Sequence, residues 1–110
     1  VAYAGNDIYC DEILSGRLPV DVVLDRPEVL AFRHTRPYWP VHVVVIPKQH
    51  VDSLVDPAAH EVLPALIEVV REVAAQMVAE QGASRVLTNL GEYQDSKHLH
   101  WHVSSGDPLH

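Results

Sequence analysis

Apolar residues along this 110-residue chain fall into short runs with two different spacings. Between Asp7 and Ser15, the residues Ile8, Tyr9, Ile13 and Leu14 fit one side of a short helix, with Asn6 or Asp7 as N-cap and Gly16 as its stop. Pro19 then releases the chain into Val20-Asp21-Val22-Val23-Leu24, a β-branched strand pattern. The turn Asp25-Arg26-Pro27-Glu28 returns it as Val29-Leu30-Ala31-Phe32-Arg33, the partner arm of a hairpin. Residues 34–40 hold two prolines and predict a loop. Val41-His42-Val43-Val44-Val45-Ile46 is almost unbroken in its apolar character, which predicts a central strand covered on both faces and closed by Pro47.

Asp56-Pro57 has the form of an N-cap followed by proline at the first helical position. Pro64 would cost a helix interior about 3 kcal/mol, so the pattern predicts a short first turn and then a main helix from Leu63 to Gln81. Its apolar face is Leu63, Leu66, Ile67, Val70, Val73, Met77 and Val78, and Gly82 ends it. Arg85–Leu90 and His98–Ser104 read as two more strands around a polar loop at 91–97. The order α, β, β, β, α, β, β with short connections predicts one α+β domain over residues 1–110: a five-stranded antiparallel sheet with one long and one short helix, the helices kept to one face.

Charge narrows the function. Eight Lys plus Arg stand against 15 Asp plus Glu, and a net charge of −7 disfavours nucleic-acid polymers and anionic membrane surfaces as partners. No apolar run approaches the roughly 18–20 residues of a membrane span. Residues 1–16 show no signal-peptide pattern, so a reduced, cytoplasmic setting is expected. Cys10 is the single cysteine, which precludes an internal disulfide and a Cys-based zinc site and reads as structural. Eight histidines in so short a chain are the first hint of chemistry.

That chemistry centres on His98-Leu99-His100-Trp101-His102-Val103. Strand alternation puts the three histidines on one face and Leu99, Trp101 and Val103 on the other, so the apolar side packs on the long helix and the imidazoles are presented on the open side. As a metal site the trio is awkward: His98 and His102 lie about 13 Å apart at ~3.3 Å per residue, and His42 is the one plausible extra ligand. Nucleophilic and acid–base work on a phosphorus centre suits it better. A neutral imidazole attacks near pH 7, its neighbours donate hydrogen bonds, and crowding disfavours protonating all three. A solvated histidine face without catalysis is the bland alternative.

His98-Leu99-His100-Trp101-His102-Val103-Ser104 resembles the His-φ-His-φ-His-φ-φ signature of the histidine-triad (HIT) superfamily. Pro40-Val41-His42-Val43-Val44-Val45-Ile46-Pro47-Lys48-Gln49-His50 is similar to that family's second landmark, and Leu30-Ala31-Phe32 with the helix–Pro19–strand opening is similar to its Hint branch. The resemblance spans about residues 7–106. It implies a HIT-like fold and a nucleotidyl hydrolase or transferase acting on nucleoside phosphoramidates or related phosphoanhydrides, usually a homodimer and without a metal cofactor. By position, His100 would attack the α-phosphorus and carry a covalent nucleotidyl intermediate. His102 would bind the phosphate and protonate the leaving group, with His98 and His42 supporting the array. Asn89 and Gln94 match polar positions near phosphate and ribose, and Ile8, Tyr9 and Phe32 match the nucleobase pocket.

The chain departs from the pattern at several points. His34 stands where the family commonly has an Asp that holds the ribose hydroxyls. Asp95 stands where a phosphate-binding Ser is usual, so Ser96 is the candidate for that contact. Ser104 is polar where the signature is apolar, Trp101 is large, Val41 replaces a small residue, and Tyr38-Trp39 adds aromatics beside the pocket. These departures imply an altered substrate, or a nucleotide-binding or regulatory module without turnover. A metal-dependent hydrolase using His42 and two of the triad histidines is a further alternative. Trp39 is expected to touch ligand or a partner subunit, Trp101 to pack in the core, and His50, His60 and His110 to be surface residues.

Overall fold

The computed structural model describes Tyr9 and residues 13–109, so Ile8, Cys10 and most of the expected short helix lie outside the described residues. Five strands form one antiparallel sheet: β1 (Val22–Asp25), β2 (Val29–Arg33), β3 (Val41–Pro47), β4 (Arg85–Thr88) and β5 (Trp101–Ser105), with α1 (Ala59–Gln81) between β3 and β4. The spatial order is β1-β2-β3-β5-β4, which leaves β1 and β4 as edges and buries β3 in the middle. Every residue of β3 from His42 to Pro47 is buried, as its unbroken apolar run requires.

Strand alternation divides the interior in two. Ala31, Val43, Val45, Leu99 and Val103 point to α1 and join Leu66, Val69, Val70, Val73 and Met77 in the larger core. Leu30, Phe32, Val44 and Ile46 point the other way and are covered by Tyr9 and Ile13. Trp101 packs on the helix side, opposite the histidines, as its parity predicts.

Four boundaries differ from the sequence expectation. The helix is a single element from Ala59, and it includes Pro64. Its entry is tightened: Ala59, His60 and Glu61 donate to Asp56, Pro57 and Ala58, three residues back, and the Asp56 carboxylate accepts the Ala58 N–H at 2.9 Å. Extending the helix recruits Val62 and Val69 to the buried face, while Leu63 and Ile67 are half-buried and Val78 is exposed. β1 begins at Val22 rather than Val20, and a register shift between Val22 and Leu24 bends it. β4 ends at Thr88 rather than Leu90, where the chain turns into a 3-10 turn at Gly91–Tyr93.

The fourth boundary matters most for the site. β5 starts at Trp101, so His98, Leu99 and His100 precede the ladder. Their backbone is held another way: the Leu99 N–H donates to Val51 O at 2.7 Å, and Thr88 Oγ1 donates to His100 O at 2.7 Å. Alternation survives because Leu99 is still anchored in the helix-side core. No helix among the described residues is long and apolar enough to cross a membrane.

Pro64 withholds a donor from the His60 carbonyl on an exposed turn. Pro64→Ala is expected to raise unfolding stability by about 1–3 kcal/mol, read as a higher urea midpoint at unchanged m-value.

Candidate active site

Three strands set imidazoles side by side on the face opposite α1. The β2–β3 pairing continues past Arg33, with the His34 N–H donating to His42 O at 2.9 Å, so His34 lies across from His42. On the other side of β3, His42 is opposite Ser104 and Val44 is opposite His102, which makes His42 and His102 diagonal neighbours. The small Ser104 leaves room for the two rings to meet: His42 Nε2 and His102 Nδ1 are 2.8 Å apart. The His34 ring stacks on His42 with centroids 4.4 Å apart, and the Trp39 ring meets His42 edge-on at 4.9 Å.

Backbone amides decide where the protons are. The Tyr38 N–H donates to His42 Nδ1 at 3.0 Å, so that nitrogen holds a lone pair and the neutral ring carries its proton on Nε2. His42 Nε2–H therefore donates to His102 Nδ1, and the His102 proton is left on Nε2 as a donor. The His100 ring is set separately. Its Nδ1 lies 2.7 Å from the His98 carbonyl, which can only accept, so Nδ1 carries the proton and Nε2 the lone pair. His98 Nε2 likewise donates to Pro47 O at 2.8 Å.

Burial enforces neutrality. His102 is pushed down to about 3, first by desolvation and then by His100, His42 and His34. His42 is lowered to about 4 by desolvation and then by His34. His34 is lowered too, by desolvation and then by His100.

These rings border a cleft of about 850 Å3. Its lining combines apolar side chains of the smaller core, Tyr9, Ile13, Leu18, Phe32 and Val44, with the rings of His34, His42, His100 and His102. Asn89, Asp95 and Ser96 line it as well, and Ser96 Oγ is buried with no hydrogen-bond partner. Tyr38 and Trp39 line it, and Arg85 sits over the Trp39 ring at 5.2 Å. Tyr9 packs against Phe32, His98 and His100.

Three placements differ from expectation. The triad is buried, not presented on an open face: His98, His100 and His102 are 0%, 5% and 9% exposed. His98 does not line the cleft; it lies beneath it, and its role reaches the cleft through its carbonyl on His100. Gln94 is also off the cleft, because its amide nitrogen donates to the Asp52 and Ser96 carbonyls at 2.6 and 2.8 Å. His50 pairs with Asp52 at 2.7 Å and meets His98 edge-on. Ile8 lies outside the described residues. Sequence reasoning overlooked Thr35 and Arg36, which line the cleft, and the Tyr38 amide that orients His42. The parity of His34 with Phe32 was the signal that this loop would turn toward the site.

Among the described residues, His34, His42 and His102 each bring a ring nitrogen within 4.8 Å of the others, a grouping able to hold a metal ion. It contains one triad histidine rather than the expected two. Its donors fit a metal poorly: the lone pairs on His34 Nδ1 and His42 Nδ1 already accept the Arg36 and Tyr38 N–H groups, and that on His102 Nδ1 accepts from His42. Metal ligation needs those lone pairs, so it would break one of these bonds.

An open antiparallel sheet carrying a His-x-His-x-His run against a cleft defines a protein of the histidine-triad class. The HIT domain family model matches residues 15–109, and the chain belongs to that family. It is 35% identical to an uncharacterised 13.2 kDa HIT-like protein of Azospirillum brasilense, over 97% of this chain and 91% of that one. Among solved structures, it is similar to a histidine triad protein from Clostridium difficile (32% identity, TM-score 0.79, covering 98% and 96% of the two chains). It is also similar to a HIT family hydrolase from Clostridium thermocellum (26% identity, TM-score 0.79, the same coverage).

Lowered histidine pKa values make stability depend on pH. Below 6.5 the unfolded chain takes up protons at these rings that the folded chain refuses, so stability falls as pH drops toward about 4 for His42 and about 3 for His102. Nothing is lost above 6.5 from this source. The expected loss is on the order of a few kcal/mol, and His102→Gln should flatten the slope of stability between pH 6.5 and 4.5 in urea titrations.

Proposed function

We propose that this chain hydrolyses or transfers nucleoside monophosphates, cleaving nucleoside phosphoramidates or related phosphoanhydrides through a covalent nucleotidyl intermediate on His100. The observation that carries this reading is the His100 Nδ1 bond to the His98 carbonyl, which leaves the Nε2 lone pair on a ring bordering the cleft. That nitrogen attacks phosphorus as the bond to the leaving group breaks. The carbonyl on Nδ1–H stabilises the positive charge that develops on the ring.

His102 Nε2–H meets the phosphoryl oxygens and the leaving group. A bound phosphate anion favours the protonated ring and opposes the desolvation that holds it neutral in the empty cleft; the second proton goes to Nδ1, which gives up the His42 Nε2–H bond, and Nε2–H becomes the acid. In the second half, water or another acceptor displaces His100 from phosphorus and returns a proton to His102. Ser96 Oγ, buried without a partner, supplies a further donor to the phosphate, and Asn89 lines the same cleft. Tyr9 and Phe32 take the base. Asp95 opposes a phosphate unless it turns outward. The setting we propose is the cytoplasm.

We also propose a homodimer paired through edge strand β4. Val86 on β4 and Leu90 just past its end are exposed apolar residues, and the edge has unpaired backbone groups that a second copy can satisfy across a two-fold axis. Val86→Asp is expected to shift sedimentation from dimer to monomer.

The central test is intact mass after incubation with adenosine 5′-phosphoramidate. A transient nucleotidyl adduct that vanishes in His100→Ala supports the reading, with turnover falling at least about 10³-fold while ligand still binds. A non-catalytic nucleotide-binding module would show binding, no adduct and little effect of that substitution. A metal-dependent hydrolase is the second reading, favoured by the three-histidine grouping. Loss of activity on chelation would support it, and full activity after chelation would remove it.

A further inference from the structure

Three consecutive residues of the β2–β3 loop, His34, Thr35 and Arg36, face the same cleft as His102. The Arg36 N–H donates to His34 Nδ1 at 2.9 Å, so the His34 proton sits on Nε2 and that nitrogen is a donor. Arg36 is the one Lys or Arg side chain that lines the cleft among the described residues. Arg26, Arg33, Lys48 and Arg71 each pair with a carboxylate. Arg17, Arg36, Arg85 and Lys97 show no carboxylate partner among the described residues, and of these four Arg36 is the one that lines the cleft.

Strand alternation sets what lies beside this loop. Phe32 belongs to the apolar cluster that lines the cleft, His34 follows it by two residues on the same side, and the His34 ring lies 6.0 Å from His102. A nucleotide with its base on Phe32 and its phosphorus at His100 and His102 runs its sugar past His34. His34 Nε2–H and the guanidinium offer donors alone. The hydrogens of a bare cis-diol find no acceptor on either, whereas a phosphomonoester presents acceptors alone and matches a guanidinium fork.

We propose that His34 and Arg36 form a second anion subsite for a phosphomonoester on the sugar, so that the site prefers a doubly phosphorylated nucleoside to one with a free diol. The inference rests on the nucleotidyl reading of His100 for the ligand's orientation. Long-range repulsion from the protein's net negative charge works against an added phosphate, so any gain in affinity must come from local contacts. Asp95, the carboxylate lining the cleft, comes from the separate 91–97 segment.

The test is calorimetric titration at constant ionic strength with adenosine 5′-monophosphate, adenosine 3′,5′-bisphosphate and adenosine 2′,5′-bisphosphate. One of the bisphosphates is expected to bind about tenfold tighter than the monophosphate, with the two isomers showing which sugar position is read. Arg36→Gln, at an exposed position, should remove most of that preference with an unchanged thermal-unfolding profile, and His34→Asp should reverse the preference. The inference is overturned if neither bisphosphate gains over the monophosphate, or if the gain survives both substitutions. The two proposals separate cleanly: an adduct on His100 without a bisphosphate preference removes the subsite alone. A preference that depends on Arg36, with no adduct, upholds the subsite and removes the nucleotidyl chemistry.

Discussion

The hydrogen bond from the Tyr38 amide to His42 Nδ1 is the contact on which the site depends. One backbone donor selects the tautomer of His42, His42 selects that of His102, and His102 is left presenting a proton to the cleft. The loop that holds this amide is fixed from several directions. Pro37 and Pro40 restrict its backbone, and the Tyr38 carbonyl accepts the Leu109 N–H at 2.7 Å. Gly106 makes the closest approach: a Cβ there would fall 2.8 Å from Pro40 Cγ, and its φ of +92° already disfavours a side chain. Gly106 and Leu109 thus clamp the peptide that orients His42 and, through it, His102.

Burying so many imidazoles is costly unless each polar nitrogen has a partner. Here each ring meets that demand with a group that also fixes its proton: Tyr38 N–H for His42, His42 for His102, the His98 carbonyl for His100 and the Pro47 carbonyl for His98. Satisfaction of the core and preparation of the site are therefore the same set of bonds. Under the proposed function, neutral rings would let a protein of net charge −7 receive a phosphate: the cleft offers oriented donors instead of fixed positive charge, save at Arg36.

Much of this was legible from spacing. β2 appears with the bounds read from its sequence, β3 adds only Pro47, and the histidines share a face because Leu99 and Val103 are too apolar to leave the helix-side core. What escaped the sequence was set by tertiary contacts. Pro64 looked like a helix break, yet the tightened entry turn absorbs it and shifts the buried stripe toward Val62 and Val69. Alternation gave the side on which the imidazoles lie, but not that Tyr9 and Ile13 would cover that side. Gln94 has the composition of a ligand contact and is consumed by two backbone carbonyls instead. No local pattern encodes the stacking of His34 on His42, since it follows from the register of β2 on β3.

Under the proposed function, His34 would tie substrate selection to the charge state of His42 and His102. Its ring lies on His42 and within reach of His102, and it contributes to the lowered pKa of both. A carboxylate at the same position would act with the opposite sign, drawing protons onto both rings and removing the neutral tautomer chain that the Tyr38 amide imposes. Exchanging an acceptor for an imidazole here thus alters two properties together: the group that the cleft can hold beside the phosphorus, and the pH range over which His42 and His102 stay neutral. Because the two effects share one side chain, adaptation of the pocket to a different sugar is also adaptation of the relay behind it.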